Sequence, residues 1–300
     1  MLANREAMRI WLAGTTKDRA ALREPRETRT GADLVLAVRM RTLIRLAQLA
    51  ALRMEGQGDL DEAWVWHRAA LRSTRHCGMV GTFAERSVGA DLFGQVTTSI
   101  RNWADHPHVT ADMLRRAIDD VRAIDAMTPP LSQAIQSEYV ALTRLLEDDS
   151  MTVAGIARIT NGAEPDGKDR RAWAFRKFTR REPERSRRTA RLIVANWLAV
   201  ADLPDADRQA RRLSSSKVPL YRPPDAAPES ARRIGPEALS RWLDSTDLLK
   251  VALPPMADME RTLADEAATR DILSRHLTEQ LDLREHGRPL GGSEGVNDPR

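Results

Sequence analysis

A single cysteine, Cys77, occurs in the 300 residues of this chain. That excludes an internal disulfide and any metal site built on paired cysteines. Aromatic residues are also few, at 4%, so the core has to be assembled from Leu, Ala, Ile, Val and Met. Lysine stands at only five positions, Lys17, Lys168, Lys177, Lys217 and Lys250, and arginine carries nearly all the positive charge. No apolar run reaches the roughly 18 residues of a membrane span. The longest, Leu192 to Ala201, is broken by Asn196 and stops at Asp202. β-Branched runs bounded by turn residues are nearly missing, and strands are not expected. The N-terminus lacks the basic segment and apolar stretch of a signal peptide. The expected compartment is the cytoplasm; a true start upstream of Met1, carrying a membrane anchor or export signal, would change that.

What is present favours helix. Alanine, leucine and arginine dominate, and all three are strong helix formers. The formal charge of +4 and pI of about 9.6 are a modest basic excess for this length. The expected fold class is all-α, built of irregular antiparallel helical hairpins.

The clearest hairpin lies between residues 32 and 76. Leu43, Leu46, Leu49 and Ala50 recur at helical spacing and form the expected inner stripe of its first helix. Gly58 supplies the positive φ needed to leave that helix. Asp59 is placed to cap the second helix, and Asp61 and Glu62 put negative charge at its start. Ala63 and Ala70 share a face, and with Ala51 they permit a neighbouring helix to approach closely. Trp66, His67 and Leu71 fill the space around that contact.

Residues 44–75 resemble one unit of a tetratricopeptide repeat. Ala51, Ala63 and Ala70 match the family's small positions. His67 stands where an aromatic is usual, and Arg75 where a proline would follow. No second copy follows at the family's period of about 34 residues. The resemblance implies a solenoid-like stack in which each hairpin buries its apolar face on a neighbour, and an interaction role.

Along the chain the expected organisation has seven parts. Residues 1–30 form an N-terminal arm and 31–149 the helical-hairpin region. Residues 150–170 are a loop, 171–211 a long basic helix and 212–235 a Pro/Ser-rich connector. C-terminal helices occupy 236–287 and a disordered tail 288–300. Thr110 is placed to cap a helix that runs to about Ala126, and Thr128-Pro129-Pro130 stops it. The second helical part is expected to pack back on the first.

Three patterns carry the semblance of chemistry. Gly162 to Lys168 has the spacing of a phosphate-binding loop, yet Asp169 stands where Ser or Thr must hold Mg²⁺. Gly291-Gly292-Ser293-Glu294-Gly295 matches a nucleophile elbow but lacks the strand and helix that make one. His106-Pro107-His108 has no further metal ligands in sequence. No catalytic residue, cofactor or metal is therefore assigned, and Cys77 reads as a small buried hydrophobe.

The stretch Lys168 to Arg191 interleaves eleven basic residues with Trp173, Phe175 and Phe178. Arginine beside aromatic platforms suits phosphates and unstacked bases. Arg176, Lys177, Arg180, Arg181, Arg187 and Arg188 are its candidate contacts to nucleic acid or an anionic surface.

Four stretches together resemble an uncharacterised bacterial all-helical family of unknown function. They are Ala63-Trp64-Val65-Trp66-His67-Arg68 onward to His76, Met127-Thr128-Pro129-Pro130-Leu131-Ser132, Arg181-Glu182-Pro183-Glu184-Arg185 onward to Arg188, and Ala238-Leu239-Ser240-Arg241-Trp242 onward to Thr246. The resemblance spans about residues 3–288 and implies no activity; members often begin with a membrane anchor. The expected function is a non-enzymatic scaffold for a protein partner. Nucleic-acid or anionic-surface binding through 168–191 is the alternative, and an enzyme with an unrecognised site is a remote one.

Overall fold

Alternating caps and breakers divide this chain into helices, and a computed structural model describes residues 5–20, 35–147, 182–214, 218–246, 249 and 253–287. The helices are α1 (Arg5–Thr15), α2 (Val35–Gly56), α3 (Leu60–Gly78), α4 (Phe83–Ala104), α5 (Ala111–Asp125), α6 (Leu131–Glu147), α7 (Glu182–Leu198), α8 (Asp205–Ala210), α9 (Glu229–Arg232), α10 (Pro236–Asp244) and α11 (Met256–His286). Among the described residues the only extended pairing is an isolated bridge between Arg212 and Tyr221. The fold is all-α, with helices packed against one another, as composition and periodicity require.

Local chemistry sets the helix ends. Gly58 turns the chain with φ +80°. The Asp59 side chain accepts from the Glu62 N–H at 3.2 Å, satisfying one of the donors a helix start leaves open. Thr82 and Glu85 form a reciprocal capping box at α4. Thr110 accepts from the Met113 N–H at 3.3 Å. Gly287, at φ +66°, ends α11.

Two apolar cores result. The first gathers Ile44, Ala47, Ala51, Ala63, Ala70, Leu71, Leu92, Phe93, Trp103 and Leu114 from α2 to α5, with Trp11 from α1 and Leu273 and Leu277 from the far half of α11. The second joins Ile135, Leu142, Ile193, Trp197, Leu220, Tyr221 and Leu239 from α6, α7, the following loop and α10 to Met256 and Met259 at the start of α11. The 31-residue α11 therefore runs through both cores and fixes one to the other.

Several expectations need correction. Leu49, expected on the inner stripe of α2, is 56% exposed. The buried line is Ile44, Ala47 and Ala51, and Leu49 lies about half a turn from Ala47. The basic helix expected over 171–211 is not continuous: residues 171–181 lie outside the described residues, α7 ends at Leu198, and α8 begins at Asp205. Pro204, which lacks an N–H and restricts its predecessor, stands at the break.

The connector expected at 212–235 is no spacer. Asn196 on α7 donates to the Tyr221 carbonyl at 2.7 Å and accepts from the Tyr221 N–H at 2.9 Å. Trp197 Nε1 donates to the Pro219 carbonyl at 2.7 Å. These bonds add to the single Arg212–Tyr221 bridge in satisfying the backbone of this proline-interrupted segment, and Leu220 and Tyr221 are fully buried. The N-terminal arm is likewise docked over residues 5–20. Arg72 on α3 donates through Nε to the Thr15 carbonyl at 2.5 Å and through Nη2 to Thr16 and Lys17 at 3.2 and 3.1 Å. A guanidinium at that end complements the orphan carbonyls and the dipole of α1.

Candidate functional site

The hairpin residues singled out by sequence lie at the α2–α3 contact. Ala51, Ala63, Ala70 and Leu71 are fully buried and Trp66 is half-buried. His67 is also buried, its Nε2 lying 2.7 Å from a Glu55 carboxylate oxygen. Gly58 provides the turn. These side chains hold two helices together; they present no reactive group to solvent.

The interior carries more charge than the sequence suggested. Glu266, on α11, is 1% exposed at its side chain and meets Arg75 of α3 and Arg86 of α4; Arg86 Nη2 lies 2.7 Å from Glu266 Oε2. Arg75 also reaches Asp125 of α5 at 2.7 Å. Its guanidinium carbon sits 4.1 Å above the Phe93 ring centre. Arg270 closes the group, 3.4 Å from Asp125 and 3.5 Å from Glu266. Burial lowers the Arg86 pKa from its ordinary value, with Glu266 opposing that effect; an arginine nevertheless stays charged. A second group serves the other core. Glu260 of α11 accepts from Arg208 Nε at 2.9 Å and from the Tyr221 hydroxyl at 2.7 Å. Glu260 and Glu266 thus fasten α11 to each half of the molecule.

A third buried carboxylate, Glu138 on α6, accepts from the Phe83 N–H at 2.6 Å, the first open donor of α4. Burial pushes its pKa up to about 7; the Phe83 bond works against this, and the charge of Glu85 adds to it. A carboxyl raised on folding stabilises fully below its unfolded pKa and loses that contribution as pH rises through its folded value. Stability is therefore expected to fall by up to about 3 kcal/mol between about pH 4.5 and 7 from this group. Glu138→Gln keeps an acceptor for Phe83 and removes the titration. Urea denaturation at a series of pH values should show that slope flattened in the variant; an unchanged slope would place the pH dependence elsewhere.

Cys77 is buried, and burial, reinforced by Glu85, pushes its thiol up to about 12. Its sulfur lies 3.6 Å from the Glu85 carbonyl. Neighbouring His76 is turned to the Lys17 carbonyl at 2.8 Å, and burial lowers its pKa. The pair is built for packing, since a thiolate is the reactive form.

A cleft of about 530 Å³ opens between α1, α3 and α5, with Leu12 and Val65 in its wall. Its charged rim is already engaged: Arg72 with the end of α1, Arg68 with Asp120 at 3.4 Å, and Arg9 with Glu6 at 2.9 Å. At the end of α11, Asp282, Glu285 and His286 bring ligand-type atoms within 4.8 Å of one another, and Arg115 holds Glu285.

Of the candidate anion contacts, Arg187 and Arg188 are exposed on α7, and Arg188 pairs with Glu184 one turn away at 2.5 Å. Arg176, Lys177, Arg180 and Arg181 lie outside the described residues, as do Trp173, Phe175, Phe178, the 162–169 loop and the 291–295 glycines.

The outer face of α2 was not foreseen. From Val38 to Gly56 its exposed residues are Val38, Arg39, Thr42, Arg45, Leu49, Leu52, Arg53 and Gly56. Val38, Leu49 and Leu52 are 54%, 56% and 53% exposed. All but Arg39 fall within one helix stripe. The stripe holds three aliphatics and two arginines, with Arg39 beside it, and no carboxylate; Glu55 is turned inward to His67. No helix among the described residues is long and apolar enough to cross a membrane. No family model, curated protein or solved structure matches the chain.

Proposed function

We propose that the chain is a non-catalytic helical scaffold that binds another protein through the outer face of α2. The observation that carries this reading is the row Val38, Leu49, Leu52: aliphatic side chains more than half exposed along one side of a helix whose opposite side is fully packed. Scattered exposed apolar residues are ordinary, whereas aliphatics aligned on one stripe of one helix, Val38 toward one end and Leu49 and Leu52 toward the other, are the pattern of a contact surface. The use of ionisable groups supports it too, since Glu260 and Glu266 are bonded to arginines that dock α11. The tetratricopeptide-like character of the α2–α3 hairpin, the likeness to the bacterial helical family and a cytoplasmic setting belong to the same proposal.

The test is affinity capture from native cells with the full chain and with Leu49→Asp/Leu52→Asp. A protein retained by the wild type and lost from the variant, with circular dichroism and Tm unchanged, is the expected result. Failure of the wild type to retain any protein reproducibly would overturn the reading.

The exposure of Arg187 and Arg188 favours one second reading, binding of nucleic acid or an anionic surface through 168–191. It requires affinity for RNA or DNA that falls steeply with salt and is lost in Arg187→Glu/Arg188→Glu. Absence of binding at low salt removes it.

A further inference from the structure

We infer that the outer face of α2 docks one acidic amphipathic helix of a partner protein. The inference rests on the scaffold reading and specifies what that surface takes. Val38 and Leu52 stand fourteen residues apart, so the row is about 21 Å long, the length of a short helix. Leu49 and Leu52 are one turn apart on the same side, which is the spacing of helix-to-helix anchors. Arg39, Arg45 and Arg53 are exposed on this helix, and none of its exposed positions is acidic. A complementary surface is therefore apolar opposite Val38 and opposite Leu49 and Leu52, and acidic between them, opposite Arg45, and along the side of Arg39 and Arg53.

Two other occupants fit less well. Arg45 lies midway between Val38 and Leu52, so antiparallel pairing of two copies through this row sets the Arg45 guanidiniums of both copies against each other. Like charges so placed repel. A membrane-surface helix buries a broad apolar face with aromatic or long aliphatic side chains. The broad apolar face of α2, with Ile44, Ala47 and Ala51, is already buried in the first core, and a narrow row with arginine at its middle remains.

The test uses the full chain and a labelled synthetic peptide of roughly 18 residues, long enough to form a helix, with leucines at i, i+4, i+7 and i+11 and glutamates beside them. Fluorescence anisotropy should show saturable binding that weakens as salt rises. Leu52→Asp and Arg45→Glu, both at exposed positions where the fold tolerates change, are each expected to weaken it about tenfold. A peptide with lysines in place of the glutamates should not bind. Equal binding of the lysine peptide, indifference to both substitutions, or tighter association with phosphatidylserine vesicles would each overturn the inference. If the acidic peptide fails while native capture still depends on Leu49 and Leu52, the scaffold reading stands and the partner has another chemistry. If native capture also fails, both fall.

Discussion

Glu266→Gln is expected to destabilise the chain by about 3–5 kcal/mol, the usual consequence of leaving buried charge uncompensated. The carboxylate is bonded to Arg75 and Arg86, both essentially without solvent contact. Glutamine keeps the shape and removes the charge, so two guanidiniums remain in the interior, Arg75 still paired with Asp125, which Arg270 shares. Neither arginine escapes by losing its proton. The measurement is urea denaturation followed by circular dichroism. A loss below about 1 kcal/mol would mean that water reaches the group and that the cluster behaves like a surface pair. A second arm separates burial from charge: an apolar replacement of the three most buried members, Arg75→Met/Arg86→Leu/Glu266→Leu, leaves Asp125 to Arg270 and should recover much of the loss, because buried ion pairs add little over well-packed apolar groups.

The same residues show what was legible in the sequence. The helix positions from α2 to α6 and their caps at Asp59 and Thr110 were, because Asp59, Thr110 and the prolines announce themselves locally; the break after α7 and the short α8 and α9 were not. The close α2–α3 contact was visible in Ala51, Ala63 and Ala70. Charges in the cores were not, because a glutamate's partners lie far along the chain: Glu266 is 191 positions from Arg75. One signal was available. Along α11, Met259, Leu263, Glu266, Arg270, Leu273 and Leu277 recur at alternating spacings of four and three, the pattern of an inward seam. Two charged residues in such a seam announce buried ion pairs. Asn196 gave a similar hint, since a lone amide inside an apolar run marks a place where the helix must satisfy foreign backbone. Leu49 shows the converse failure. Leucines dominate the sequence of α2, yet its inward line is made largely by alanines, so size misled where spacing would have served. With alanines filling the inward line, Leu49 and Leu52 are left on the outer face of α2.

Gly89→Val carries the other large effect, and its argument is steric. A Cβ placed on Gly89 would lie 2.7 Å from the Thr74 carbonyl oxygen. That oxygen belongs to the backbone of α3 and cannot rotate aside, so α3 and α4 must separate. Overpacking of this kind costs about 1–3 kcal/mol, and valine's β-branching brings the loss to the upper end or beyond. Gly94, five residues on in the same helix, is the control: a Cβ there meets nothing within 4 Å. Gly94→Ala should therefore stabilise by up to about 1 kcal/mol through helix propensity. Opposite signs for two glycine substitutions in one helix, read as shifts in denaturation midpoint, test the crossing geometry without reference to activity. Equal signs would mean that α3 and α4 do not cross at Gly89. The crossing also conditions the charge cluster. Gly78, at the end of α3, would carry a Cβ 2.5 Å from Arg86 Cδ and 3.3 Å from its Cα, so a side chain there displaces the arginine that reaches Glu266. Gly78→Ala combined with Glu266→Gln should accordingly lose less than the sum of the two single changes, because both disturb the placement of one guanidinium.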